Sequence, residues 1–209
     1  VRARNPATVL HKEYPEGYSW QELKKRDVSA ADTGNEKWVE KEHESIRELE
    51  DALKYEGEQM GHCVGGYCPD VSSGKSRIFS LRDAKGQPHV TIETQPKDLA
   101  TAFGKLPDEE RFAMAQKVRD EYFGGAMPGT GSSESKYYDL LDQEYIKKYG
   151  NSPETINQIK GKGNAAPNEE YLPFVQDFVR SQQWSDVGDL RNTGLYRKSD
   201  FIDEFTSDQ

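Results

Sequence analysis

Apolar residues recur at helical spacing over residues 36–58, where Trp38, Ile46, Leu49, Ala52, Leu53 and Tyr55 include i, i+3 and i+4 intervals. That spacing predicts a helix with one buried stripe. Its remaining positions are charged, mostly acidic, and read as a solvated face, and Gly57 and Gly61 bracket its end. A turn or short helix is expected through Cys63–Ser72. The period then shortens. Val90 and Ile92 alternate with Thr91 and Glu93, which predicts a strand over His89–Thr94 with one buried face. In Arg77–Arg82 the adjacent Ile78 and Phe79 point to burial on both sides. Between these strands, residues 83–88 supply the Gly and Pro of a short hairpin loop. A third strand is predicted at Ile156–Ile159. A second helical stripe follows Pro167 and Asn168 and comprises Tyr171, Leu172, Phe174, Val175, Phe178 and Val179. Trp184, Val187 and Leu190 extend the core.

The intervening segments set the organisation. Residues 1–35 carry Pro6, Pro15, Gly17 and Gly34 as breakers, and are expected to form a partly ordered arm docked through Tyr14, Tyr18, Trp20 and Leu23. Residues 97–153 read as an α-helical insertion, with helices over 108–122 and 134–149 separated by the Gly/Ser-rich run 124–133. Residues 196–209 form an acidic tail. The predicted class is therefore α+β. A small antiparallel sheet of about three or more strands is packed by helices, with a core of residues 36–96 and 154–195 interrupted by the insertion.

Composition narrows this picture. The chain has 209 residues, of which 33% are hydrophobic, against roughly 45–50% in average domains by a count that includes Gly. That supports one core of about 110–130 residues with less buried extensions. The net charge of −9 argues against a general phosphate-binding surface, since such affinity comes from Lys and Arg displacing counterions. A local basic groove is still allowed. There is no apolar run long enough to span a membrane, and Val1-Arg2-Ala3-Arg4 does not open an apolar signal region. The missing initiator Met leads to the expectation of a module taken from a longer polypeptide. Two cysteines and four histidines fall short of a tetrahedral zinc set, so neither metal nor cofactor is expected. A reduced, cytoplasmic setting is expected for the thiols.

The chemistry concentrates in Met60-Gly61-His62-Cys63-Val64-Gly65-Gly66-Tyr67-Cys68-Pro69. A Val-Gly-Gly step carries little side-chain volume, so the backbone there can approach a ligand or another segment closely. Three readings stay open. In the first, Cys63 at a helix start is a nucleophile, His89 its base and Gln158, Asn157 or Asn164 the orienting group, an order similar to papain-like and NlpC-type hydrolases. The 26-residue interval from Cys63 to His89 is short for those folds. His62, adjacent to Cys63, would point about 100° away on a helix. In the second, Lys160-Gly161-Lys162-Gly163-Asn164 offers cations and unhindered amides to a phosphate, with Lys75, Arg77 and Arg82 extending a basic face, His62 beside it and Tyr67 stacking on a base. It is not a P-loop, because the glycine spacing and the following Ser or Thr are wrong. In the third, the segment is a fold-determining close approach in an interaction module.

These blocks resemble a known family. Cys63-Val64-Gly65-Gly66-Tyr67, residues 74–82, Pro88-His89-Val90-Thr91-Ile92-Glu93 and residues 156–164 together look like the PcfJ-like family of conjugative plasmids and phages. The resemblance covers about residues 40–97 and 154–195. It implies a mobile-element protein, often one module of a large polyvalent chain, working in the bacterial host cytoplasm or packaged in a virion. It also implies a polar site around Cys63, Arg82, Glu93, Gln158, Lys160 and Asn164. It assigns no settled activity, so whether the site reacts or only binds is left open. The partners it suggests are nucleic acid or a nucleotide during DNA transfer or host takeover, or other modules of a larger phage or plasmid protein.

Overall fold

The computed structural model describes residues 5–28, 35–62, 68–96, 99–150 and 154–198. The chain divides into two compact units, residues 1–95 with 155–209, and residues 96–154. The larger unit is built on a sheet of six strands: β1 (Thr8–Glu13), β2 (Ser19–Leu23), β3 (Arg77–Arg82), β4 (Pro88–Gln95), β5 (Thr155–Lys160) and β6 (Asp186–Val187). Their spatial order follows the chain. Every neighbouring pair is antiparallel except β5 with β6. The architecture is α+β as expected, with a wider sheet.

The extra width comes largely from the segment expected to be an arm. Trp20 and Leu23 on β2 are completely buried. Residues read as breakers instead make the β1–β2 hairpin, where the Gly17 amide donates to the Tyr14 carbonyl and Gly17 takes φ of 86°. A left-handed residue is what a tight turn of this kind needs, and glycine adopts it without steric penalty.

Helices cover both faces of the sheet. On one lies α6 (Leu172–Arg180), whose Phe174, Val175, Phe178 and Val179 pack with Trp20, Phe79, Leu81, Val90, Ile92, Ile156 and Ile159. The Phe178 ring centre sits 4.9 Å from Trp20 and 5.0 Å from Phe79. The Trp20 indole N–H donates to the Phe174 carbonyl at 3.2 Å, so the aromatic core buries no orphan donor there. Each fully buried side chain of this size contributes about 1.5–3 kcal/mol.

On the other face lie α1 (Asn35–Met60) and the five-residue α2 (Cys68–Ser72). Leu49, Ala52 and Leu53 pack on Ala7, Leu23, Val71 and Ile78. The buried stripe of α1 differs from the predicted one. It runs through Ser45, Leu49, Ala52, Leu53, Glu56 and Met60, whereas Trp38 and Tyr55 are half-buried. The Trp38 indole donates to the Val28 carbonyl at 3.1 Å. Strand β4, expected to bury one face, buries both, because Thr91 and Glu93 lie on the side covered by α1. Helix α2 begins at Cys68, and the helix start expected at Cys63 lies outside the described residues.

The smaller unit holds α3 (Leu99–Gly104), α4 (Asp108–Phe123) and α5 (Ser132–Tyr149) around Ala102, Met114, Val118, Tyr137, Leu140, Leu141 and Tyr145. Three acids open α4 and two lysines close α5, each complementing the helix dipole. Among the described residues no helix is long and apolar enough to cross a membrane.

Candidate functional site

Strand register sets two rows of side chains beneath α1. One row crosses the sheet as Gln21, Ser80, Thr91 and Lys160; the next as Leu23, Ile78, Glu93 and Gln158. The second row changes from apolar to polar between β3 and β4. The first is polar throughout. A helix laid on such rows must either leave them wet or bring polar partners of its own.

The partner α1 brings is Glu56, which is fully buried. Its Oε1 accepts the Thr91 hydroxyl at 2.6 Å. Its Oε2 accepts the Ser80 hydroxyl at 2.8 Å and Arg82 Nη2 at 3.1 Å. Arg82 Nε donates to Ser80 Oγ at 3.1 Å, and its guanidinium lies 5.4 Å from the centre of the Tyr55 ring. Burying a carboxylate without such partners would cost several kcal/mol. Here both oxygens are satisfied and the charge is matched. At the end of α1, His62 Nε2 lies 3.1 Å from Thr91 Oγ1. Burial pushes the His62 pKa below the ordinary imidazole value, with the Glu56 charge pulling it partly back.

Glu93 forms a second buried centre. It accepts Ser76 Oγ at 3.2 Å and Asn157 Nδ2 at 3.5 Å on Oε1, and Gln158 Nε2 at 2.7 Å on Oε2. Arg82, Glu93, Gln158 and Lys160, predicted from separate stretches of sequence, thus share one face of the sheet, together with His62 from the end of α1. The cations are not free. Lys160 Nζ pairs with Asp189 Oδ2 at 3.0 Å, and Arg77 clasps Glu22 through Nε at 2.9 Å and Nη2 at 3.1 Å. Lys162 and Asn164 are exposed. They belong to a 3₁₀ turn, Lys162–Asn164, in which Gly163 (φ 65°) and Asn164 (φ 61°) are left-handed. This turn abuts the end of α1. A methyl group placed on Gly61 would lie 3.8 Å from the Gly163 Cα and amide nitrogen.

His89 is held elsewhere. Its Nε2 binds Asp83 Oδ2 at 2.9 Å and its Nδ1 the Tyr171 hydroxyl at 3.0 Å, with the two rings stacked 4.7 Å apart. Both ring nitrogens are therefore engaged, and the ring packs beside Tyr18 and Tyr171, which border the α6-side core. Burial pushes the Asp83 carboxyl up, but the hydrogen bonds from His89 and the amides of Gln87 and Lys85 outweigh it and leave the pKa below its usual value. Tyr171 is pushed up to about 12, chiefly by burial and then by the Glu170 charge. Cys63 and Tyr67 lie outside the described residues. Among the described residues no group of three or more His, Cys, Asp or Glu is arranged to hold a metal.

Five members of the site escaped sequence reasoning: Glu56, Ser76, Ser80, Thr91 and Asp189. Glu56 carried a usable signal, because it falls at i+3 from Leu53 and i+4 from Ala52, inside the apolar stripe. Ser80 and Arg82 repeat at period two with Ile78, as Thr91 repeats with Glu93, which marks one polar strand face opposite another.

The family model for PcfJ-like protein matches residues 11–106. The match takes in the Cys63–Tyr67 block, β2, β3 and β4, and over this segment the chain is similar to the PcfJ-like family. It begins well before the predicted residue 40 and ends before Ile156–Asn164, the fourth block assigned to the resemblance. No curated protein and no solved structure matches the chain.

Proposed function

We propose that this PcfJ-like chain is a binding module that engages a single phosphate group of a nucleic acid or nucleotide. The contact is assigned to the Lys162–Asn164 turn beside the end of α1, in the setting of DNA transfer or host takeover that the family resemblance implies. The observation that carries this reading is the exposed turn itself. A lysine is followed by two left-handed residues, so an exposed cation stands beside backbone that carries no side chain at Gly163. Arg77, Arg82 and Lys160 are each paired with an acid, which favours one engaged phosphate over a tracked backbone. The buried Glu56 and Glu93 networks would hold the surrounding strands rigid.

Fluorescence anisotropy with a 5′-phosphorylated single strand tests it. Binding should strengthen as salt falls, with a log–log slope of about −0.7 for one phosphate contact. The unphosphorylated strand should bind more weakly, and Lys162→Ala should lose affinity while folding normally. No binding at low salt, or no difference between the two strands, would reject the reading.

A further inference from the structure

Two acceptors compete for one proton under α1. Thr91 has a single hydroxyl proton, and its oxygen lies 2.6 Å from Glu56 Oε1 and 3.1 Å from His62 Nε2. The Glu56 contact is the shorter, and its acceptor is the carboxylate that pairs with Arg82, so that contact takes the proton. The imidazole must then supply the proton of the second contact. Its other nitrogen is already committed, because the ring also hydrogen-bonds the carbonyl of its own backbone, which Nδ1 alone can reach as an N–H donor. A neutral imidazole carries one N–H. Held on Nδ1, that proton leaves Nε2 bare against an oxygen with no proton to give. The imidazolium, with both nitrogens protonated, completes every contact in the chain.

We infer that His62 is a proton-operated latch: as the imidazolium it fastens the end of α1 to β4 through Thr91, and as the neutral ring it lets go. The inference does not rest on the phosphate-binding reading. The Gly61 and His62 amides both donate to the Gly57 carbonyl, at 2.9 and 3.2 Å, so the latch bears on the last backbone hydrogen bonds of the helix. Gly61 in turn abuts Gly163. The charges around the ring come from four strands and helices. Glu56 on α1 is backed by Arg82 of β3, and Glu93 shares the α1-covered face of β4. Lys160 stands beside Thr91 in register on β5, neutralised by Asp189, and Lys162 lies exposed on the turn that follows. Burial opposes the cation and sets the change below the ordinary imidazole value, with the Glu56 charge pulling partly back. The latch is therefore open at pH 7.5 and closes in mild acid. Its signature is a divergence. Acid lowers global stability, since burial disfavours the charged ring, yet it tightens this one turn.

Nitrogen-15 imidazole spectra and amide exchange of the full chain, followed from pH 8 to 5, test the latch. In the wild type the neutral ring should carry its proton on Nδ1. On acidification the protection factors of the Gly61 and His62 amides should rise about fivefold, the scale of one hydrogen bond, in step with titration of the ring. Thr91→Ser should keep both the rise and the titration midpoint. Thr91→Val should abolish the rise and lower the midpoint by about one pH unit, the scale of a hydrogen bond to a charged group. A neutral ring protonated on Nε2 overturns the latch, since such a ring would hold Thr91 at every pH. Protection factors that do not change with pH overturn it too, and both results are read on the wild type alone. A rise that survives in folded Thr91→Val also overturns it, because the hold would not then pass through that hydroxyl.

Discussion

Both faces of the sheet bury an apolar cluster, but only the α1 face adds a buried network around a carboxylate. Under α6, Trp20, Phe79, Ile92 and Phe178 make a core of rings and branched chains. Under α1 the same strands present Ser80, Arg82, Thr91 and Glu93 around a buried carboxylate. Apolar surface stabilises in proportion to area and tolerates imprecision. A buried charge stabilises only while every partner stays in place. The first face thus holds the sheet together, and the second holds particular atoms at particular distances. A site needs the second kind of order.

The difference can be tested by breaking each face. Glu56→Ala and Phe178→Ala should both cost about 3–5 kcal/mol in urea unfolding, the first by stranding Arg82 and two hydroxyls, the second by opening a cavity. They should part on salt and pH. Only the Glu56 loss changes a charged cluster, so only that variant should alter the pH dependence of stability around His62. Thr91→Val should cost about 1–3 kcal/mol, because a buried acceptor on Glu56 is left unmatched. If it costs nothing, the α1 face is ordinary packing.

Acid comes next in size. The folded-state pKa of His62 is depressed, so the unfolded chain takes up the proton first. Stability should therefore fall as pH drops through about 6.5 and continue falling to the folded-state value. Unfolding midpoints measured between pH 8 and 5 should show this slope, and His62→Asn should flatten it. Phe178→Ala should keep it. Last, Lys162→Ala should change stability by no more than about 0.5 kcal/mol, with its effect confined to ligand affinity.

The two faces also differ in how legible they are in the sequence. The α6 face can be read because Tyr171 through Val179 repeat at helical spacing and Val90 and Ile92 alternate. The hairpin at residues 83–88 announces itself through Gly86 and Pro88. Strands β1 and β2 do not, since β1 exposes all its side chains but Thr8 and so lacks an apolar period. On the α1 face Arg82, Glu93 and Gln158 were identifiable as polar candidates, but Thr91 and Glu93 alternate as a solvent-facing strand would. Glu56 hides among the many acids of α1, where one buried carboxylate has the same letter as the exposed ones. Lys160 looked like a free cation because its neutralising partner, Asp189, is remote in sequence. Ion pairing between distant strands and loops is fixed by register, which local pattern does not encode.

Gln95 and Thr155 are direct partners on neighbouring strands, so the whole of residues 96–154 departs from the ladder and returns to it at a single rung. The chain joining β4 to β5 is thus a gap that a hairpin of two to five residues would fill. Excising the smaller unit and closing that rung should give a chain in which the two strands still meet, reached with less loop-closure entropy to overcome. Strands β1 to β5 would then form a simple meander, with β6 added in parallel at its edge, and the helical unit would be an attachment at one turn.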